Sequence, residues 1–166
     1  MFDDQISTLL TEVLDCVVAA FEDADAPGFC RSGLVGGTVA WDDCCDCGNG
    51  NGQLWVRLVE WLPDPDIEQR DHGCNESSRL SIGIGTLRCV PTIDEEGNAP
   101  SAAAETAAAE RLHSDAQIVR DGVACCLESR QWVGWVPLGY EGGCGGGEHI
   151  FTVPFHPCQC APIGSV

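Results

Sequence analysis

The chain has 166 residues and a formal net charge of −18, because 26 acidic residues stand against only 8 basic ones, all of them arginine. This charge argues against binding to nucleic acid or to anionic membranes through a basic surface. No apolar run reaches the roughly 18 residues that a membrane-spanning helix needs. A chain of this length buries one ordinary hydrophobic core, so we expect a single domain spanning residues 1–166.

An amphipathic helix is predicted at the start of the chain. Apolar residues recur at spacings of three and four from Ile6 to Phe21, which is the pattern of a helix that packs on a core. We expect this helix to span residues 4–23. Asp3 and Asp4 place negative charge at its N-terminus, where the helix dipole favours it.

Three strands are predicted next, at residues 34–41, 53–62 and 80–90. The segment 42–52 between the first two is rich in glycine and asparagine, so we expect an antiparallel hairpin with an enlarged tip. The polar segment 63–78 is expected to be a long surface loop. Alternation along the second strand places four side chains on one face: Trp55, Arg57, Val59 and Trp61.

A second helix is predicted from an N-cap at Ser101, through an alanine-rich first half, to about Cys126. Strands are expected at 131–136 and 148–155, on either side of a flexible glycine-rich loop at 139–147. The element order predicts an α+β domain: a mainly antiparallel sheet of four or five strands with two helices packed on one face.

Twelve cysteines give the chain the density of a secreted disulfide scaffold. The first six residues are acidic and amphipathic, however, and a secretory signal begins with basic residues and an apolar run. We therefore expect synthesis in a reducing cytoplasm, where a cysteine-rich protein holds metal, uses thiols in catalysis, or later meets an oxidising environment.

Three interpretations of the cysteines remain open: zinc ligation, disulfides and buried thiols. Cys44 and Cys47 have the C-x-x-C spacing that holds zinc from a tight turn, and Cys158 and Cys160 would complete a four-thiolate site. Against zinc, the second pair is C-x-C and the other cysteines have no regular spacing. The disulfide candidates lie in segments that a sheet core would not hold in place, and the first three should join distant segments: Cys44, Cys45, Cys47, Cys74, Cys144, Cys158 and Cys160.

Two further predictions concern cysteines on the helices. Cys125 and Cys126 are adjacent and cannot easily bond each other, so they should have different partners. Cys16 lies beside the apolar stripe of the first helix and is expected to be a small core or core-edge residue.

The sequence shows no assembled catalytic constellation. Its four histidines are scattered, and nothing in the sequence places a third group beside a cysteine–histidine pair. The glycine run at 142–147 lacks the following Lys-Ser or Lys-Thr of a phosphate-binding loop. We therefore predict that the protein is not an enzyme and binds no cofactor, with zinc as the exception considered above.

Three segments resemble the tail terminator, or tail completion, proteins of siphoviruses that infect actinobacteria. They are AWDDCCDCGNGNGQLWVRLVEWLP at Ala40 to Pro63, LSIGIGTLRCVPTIDEEGNAPSA at Leu80 to Ala102, and LGYEGGCGGGEHIFTVPF at Leu138 to Phe155. The size and the order of elements are also similar to those of the lambda-type terminator.

The resemblance implies a structural virion protein of the tail and neck. Six copies would form a ring that caps the tail tube, contacts the tail tube protein and the head–tail stopper, and lets DNA pass through its lumen without specific binding. Subunits would assemble reduced in the host cytoplasm, and disulfides would lock the particle after lysis. The alternatives are another neck protein, a cytoplasmic structural zinc-binding protein, and a small oxidoreductase that uses one of the adjacent cysteines.

Overall fold

A computed structural model describes residues 4–37, 44, 52–63 and 78–156 of the chain. In these ranges the chain forms two helices and five strands: α1 (Gln5–Asp23), β1 (Arg31–Leu34), β2 (Gln53–Pro63), β3 (Ser78–Cys89), α2 (Ala102–Cys126), β4 (Gln131–Glu141) and β5 (Cys144–Phe155). The strands form one sheet in the order β1-β2-β3-β5-β4, in which only β1 and β2 are parallel. The predicted α+β class is confirmed.

Both helices begin at capping side chains. The carboxylate of Asp4 accepts a hydrogen bond from the backbone N–H of Ser7 at 3.0 Å, and the hydroxyl of Ser101 accepts one from Ala104 at 3.2 Å. Each bond satisfies an N–H group that has no partner inside the helix. The sequence predicted both helices and the Ser101 cap.

The core lies between the two helices and one face of the sheet, which we call the helix-covered face. Its buried residues form one cluster: Leu10, Val13, Val17 and Phe21 of α1, Val119 and Val123 of α2, and Leu54, Val56, Leu80, Ile82, Ile84, Phe151 and Val153 of the strands. The helices cross closely at Gly122, where a Cβ atom would lie 2.7 Å from Cβ of Ala20. A smaller buried cluster, made of Cys44, Trp55, Leu87 and Cys144, lies on the other side of the sheet, which we call the second face.

The predicted hairpin between the first two strands is wrong. The described strand is Arg31–Leu34, and it pairs with β2 in parallel, with Leu34 opposite Val56. Parallel neighbours cannot be joined by a tight turn, because the chain must return to the starting edge before the second strand begins. Most of the predicted tip at 42–52 and most of the predicted loop at 63–78 lie outside the described residues.

A bulge in β2 changes the predicted alternation of its side chains. The pairing register with β3 shifts between Leu58 and Glu60, so Val59 is an extra residue and every later side chain changes face. Trp61 consequently pairs with Leu80 and packs edge-to-face on Phe155, on the helix-covered face. The prediction that Trp61 shares a face with Trp55 is wrong.

The predicted loop at 139–147 is mostly strand. β4 continues to Glu141 and β5 begins at Cys144, which leaves a turn of two glycines. Gly142 and Gly143 both have positive φ angles, of 57° and 79°. Two such residues form the hairpin turn whose twist matches the twist of the flanking strands, so the glycine run extends the hairpin. Neither described helix is long and apolar enough to cross a membrane.

Candidate assembly surface and buried polar clusters

A hydrogen-bonded cluster of three side chains lies on the second face. Arg57 donates from Nε and Nη2 to the two carboxylate oxygens of Glu148, each at 2.7 Å, and the indole Nε1 of Trp55 donates to Oε1 at 2.9 Å. Burial by itself raises the pKa of Glu148, but the hydrogen bonds from Arg57 and Trp55 outweigh it, so this pKa lies below its usual value. Glu148 is therefore a carboxylate held by three donors.

Two glycines of β3 make this cluster possible. Trp55 lies opposite Gly85, and Arg57 lies opposite Gly83, while Glu148 belongs to the strand on the far side of β3. A Cβ atom at Gly85 would lie 2.1 Å from the indole of Trp55, and one at Gly83 would lie 2.6 Å from the carboxylate of Glu148. The absence of these side chains lets residues of β2 reach across β3 to β5.

A second ion pair ties α2 to the end of β3. Arg88 is fully buried and donates from Nε to Asp115 at 2.7 Å, and its remaining nitrogens donate to Asp115 and to the carbonyls of Pro27 and Gly28. Its guanidinium also lies 3.7 Å from the ring centroid of Phe29. Burial raises the pKa of Asp115, and the contacts with Arg88 act in the opposite direction.

His149 occupies a buried position between α2 and β4. Its Nε2 is 2.8 Å from the carbonyl oxygen of Ala116, and its Nδ1 accepts a hydrogen bond from the indole of Trp132 at 3.2 Å. Because a carbonyl only accepts and an indole N–H only donates, both bonds require the neutral ring with its proton on Nε2. Burial lowers the pKa of His149, and the nearby Arg120 lowers it further, against the effect of the Ala116 carbonyl.

These buried groups all have structural hydrogen-bond partners. Glu148 is held by donors from β2, Asp115 by an arginine of β3, and His149 by α2 and β4. Each joins elements that are far apart in the chain. Glu148 and Asp115 were not predicted to be buried polar groups, because strand alternation alone does not reveal which residues meet across the sheet. The available sequence signal was the alternation of Gly83 and Gly85 with Ile82 and Ile84, because glycine inside a strand often marks a close approach of other groups.

Cysteine pairs connect distant parts of the described chain. Cys44 bonds Cys144 at the β4–β5 turn, and Cys16 of α1 bonds Cys126 at the end of α2, with Cα–Cα distances of 5.9 and 6.2 Å. Cys30 and Cys89 also each take part in a disulfide bond. Cys44 and Cys144 both belong to the set expected to form disulfides, whereas Cys16, expected to be a core residue, is a cross-link. The chain is thus cysteine-rich and cross-linked.

The remaining cysteine predictions fall mostly outside the described residues. Five candidate cysteines lie outside the described residues: Cys45, Cys47, Cys74, Cys158 and Cys160. Of the suggested zinc ligands, only Cys44 is described, and its bond to Cys144 leaves it no thiolate to give to a metal. Cys125 and Cys126 do not bond each other, as expected, but the prediction that each has a partner is wrong for Cys125, which is an exposed free thiol, while Cys126 bonds Cys16.

The most exposed apolar surface of the described chain is the edge strand β4. It spans 11 residues and pairs only with β5, and no backbone hydrogen bond within the described ranges reaches its outer side. Four of the nine large apolar side chains that are exposed in those ranges lie on it: Trp132, Val133, Val136 and Tyr140, with 46, 61, 55 and 56% of their surfaces accessible. We call these four residues the β4 surface.

Before its last residue, Glu141, this edge strand carries none of the charged residues that protect edge strands from pairing. No charged side chain occurs from Gln131 to Tyr140, and the whole chain contains no lysine. Soluble proteins place charges, lysine above all, on exposed edges to prevent association with other strands. The protective features here are Pro137, which removes a single backbone donor, and two irregularities in the pairing register of β4, between Trp132 and Gly134 and between Leu138 and Glu141. The outer side of β4 is therefore a ready site for strand addition.

No model of a known protein family matches the chain, and no curated protein sequence matches it significantly.

Proposed function

We propose that this chain is a structural subunit of a phage tail, similar to tail terminators, that assembles into a ring of six. In this role it caps the tail tube, contacts the tail tube protein on one side and the head–tail stopper on the other, and resides in the virion. The observation that carries the proposal is the β4 surface, an uncharged apolar edge on a chain that is otherwise strongly acidic. In a monomer, such an edge promotes unwanted association with other strands. In an assembly, the same edge can form a contact between subunits.

Three other observations support the same role. The buried polar groups hold the sheet and the helices together, which is what a rigid building block requires. The disulfides join segments 110 and 100 residues apart, and cross-links of that kind suit a particle that leaves a reducing cell and persists in an oxidising medium. The acidic charge suits a lumen that repels DNA in transit.

The proposal is tested on the purified full-length protein by sedimentation velocity and negative-stain electron microscopy. We expect a species with six times the mass of one chain and images of closed rings. Antibody labelling of virions should place the protein at the junction of head and tail. A strictly monomeric protein at all concentrations, or label at the tail tip or in the capsid shell, would refute the proposal.

A zinc analysis of the same sample separates the proposal from the zinc-binding alternative. We expect no stoichiometric zinc, because Cys44 is engaged with Cys144. One zinc ion per chain, lost together with the folded structure on chelation, would favour the alternative.

A further inference from the structure

The side chain of Trp132 connects the exposed β4 surface to the buried ring of His149. Trp132 is one of the four residues of that surface, with 46% of its own surface accessible. Its indole Nε1 donates a hydrogen bond to Nδ1 of His149 at 3.2 Å. One side chain of the proposed contact is therefore held by a group that can take up a proton near neutral pH.

Protonation of His149 affects its two hydrogen bonds differently. Nε2 already carries the proton that it donates to the carbonyl of Ala116 in α2, so this bond remains in the charged ring and becomes charge-assisted. Nδ1 is the atom that takes up the new proton, and it then presents an N–H to the indole N–H of Trp132. Two donors cannot form a hydrogen bond, so the charged ring keeps its contact with α2 and loses its contact with β4.

The groups that face His149 come from three elements, because β5 packs against β3, β4 and α2. β3 places the apolar Ile84 opposite His149. β4 has no charged or titratable side chain from Gln131 to Gly139. The titratable groups around the ring therefore belong to α2.

Arg120 is the charged group of α2 that acts on the ring of His149, and it lowers the pKa of that ring. Its guanidinium lies 5.0 Å from the ring centroid of Trp132. Both ring nitrogens of His149 have neutral partners, so a proton adds a second positive charge near Arg120 with no carboxylate bonded to it. The other two ionisable groups on this part of α2 are engaged elsewhere, Asp115 with Arg88 and His113 with Trp135.

The strand pairing is irregular where Trp132 lies. The register between β4 and β5 shifts between Trp132 and Gly134, so Val133 is an extra residue with no direct partner on β5. The bond to His149 thus holds the indole at a point where the ladder is interrupted. A buried charge without a counterion is costly, so the charged ring favours separation of the indole and entry of water.

We propose that a proton on His149 releases Trp132 from its position on the β4 surface and thereby weakens the contact between subunits. This inference rests on the proposed ring function and names a control of its contact surface. The folded protein resists protonation, since the pKa of His149 lies below 6.5. The ring is therefore stable at neutral pH and dissociates in mildly acidic medium.

The first measurement follows the indole of Trp132 in the absence of the ring. Full-length Val136→Arg carries a charge on the β4 surface and is expected to be a monomer. Its indole N–H resonances are recorded by NMR from pH 7.5 to 5, and Trp132→Phe in the same background identifies the resonance of Trp132. We expect this resonance to shift, and its N–H to exchange faster with water, below pH 6.5.

Adding His149→Gln to the same background should remove this titration. Glutamine can accept the indole N–H and donate to the carbonyl of Ala116, and it has no proton to take up in this range. Circular dichroism at each pH verifies that the variants are folded.

The second measurement is sedimentation velocity of the full-length protein without Val136→Arg, at pH 7.5 and 5.5. We expect the protein concentration at which half of the chains are in rings to be about tenfold higher at pH 5.5, the effect of about one hydrogen bond per chain. Protonation of carboxylates would act in the opposite direction, because it reduces the repulsion between acidic chains. His149→Gln should assemble equally at both pH values.

His113→Gln is the reference for a histidine-to-glutamine change outside these hydrogen bonds. Acid dissociation that disappears in both histidine variants would reject the assignment to His149. A Trp132 resonance that stays constant from pH 7.5 to 5 would reject the release of Trp132 and leave the ring function standing.

Two further outcomes would overturn the inference. A Trp132 resonance that titrates while rings form equally at both pH values would show that the contact does not depend on the position of this indole. A wild-type protein that forms no ring at pH 7.5 would reject the proposed function, and with it the control of assembly, even where the indole titrates.

Discussion

The indole of Trp55 packs directly over Gly85, so replacing this glycine tests the cluster on the second face. Gly85→Ala would force a Cβ atom to within 2.1 Å of the indole. The indole must move and weaken its bond to Glu148, so we expect a destabilisation of about 1–3 kcal/mol, typical of overpacking. Urea unfolding of the protein provides the measurement.

The control for this change is Gly134→Ala. Gly134 also lies in a strand, and an added Cβ atom there meets nothing within 4 Å. We expect it to be neutral or slightly stabilising, since alanine restricts the unfolded chain more than glycine does. Equal losses of stability in both variants would contradict the close packing of Trp55 over β3.

His149 makes the stability depend on pH. Its folded-state pKa lies below the ordinary value of 6.5, so the unfolded chain binds the proton more readily. Its contribution is present above pH 6.5 and is lost as the pH falls below 6.5 toward the folded-state value. Protonation also places an N–H at Nδ1 against the N–H of Trp132 and adds a charge near Arg120. We expect His149→Gln to flatten the fall in stability below pH 6.5.

The measurement is urea unfolding at a series of pH values from 7.5 to 5. His113→Gln is the matched control, because His113 lies exposed on the same side of the sheet, in α2. That variant provides the reference curve for a histidine-to-glutamine change outside the hydrogen bonds of His149. Parallel curves for the wild type and His149→Gln would show that His149 does not titrate as its hydrogen bonds require.

At the scale of elements, the bond between Cys16 and Cys126 holds α1 against the end of α2. It closes a segment with a sequence separation of 110, and a cross-link over so long a segment removes much of the entropy of the unfolded chain. We expect the double change Cys16→Ala and Cys126→Ala to cost about 2–4 kcal/mol. Thermal unfolding under non-reducing conditions would measure it.

Cys125→Ala is the matched control for that change. Cys125 is the neighbour of Cys126, is exposed, and forms no disulfide. We expect its replacement to leave the unfolding temperature nearly unchanged. A comparable loss in this variant would mean that the end of α2 matters through its own packing, independently of the cross-link.

At the scale of the whole molecule, the acidic charge opposes assembly. In the proposed ring, six copies would carry six times −18, or −108, and like charges repel across a ring at low ionic strength. Salt shortens the screening length from about 30 Å at 0.01 M to about 8 Å at 0.15 M. We therefore expect ring formation to increase with sodium chloride, as measured by sedimentation velocity at constant protein concentration.

A contact between apolar edges should show this dependence, because salt does not weaken apolar burial. Dissociation of the ring by salt would instead indicate that ion pairs dominate the contact. Val136→Arg, which places a charge on the β4 surface, serves as the control, and we expect it to remain monomeric at every salt concentration.

The sequence by itself determined the features that depend on nearby residues. Apolar periodicity and capping groups located both helices, since these signals act within a few turns. Composition alone supplied the charge, the absence of lysine and the richness in cysteine. The element order then predicted an α+β domain with two helices on one face of the sheet, and the structure has that class.

Only the tertiary structure decided the features that join distant residues. The parallel pairing of β1 with β2, the bulge at Val59 and the bond between Arg57 and Glu148, 91 residues apart, depend on which strands become neighbours. Alternation along a strand predicts two faces without showing what lies across from either. The disulfide partners of Cys16 and Cys44 cannot be identified from the sequence for the same reason. Such contacts are selected by the packing of the whole chain, and local sequence preferences carry little information about them.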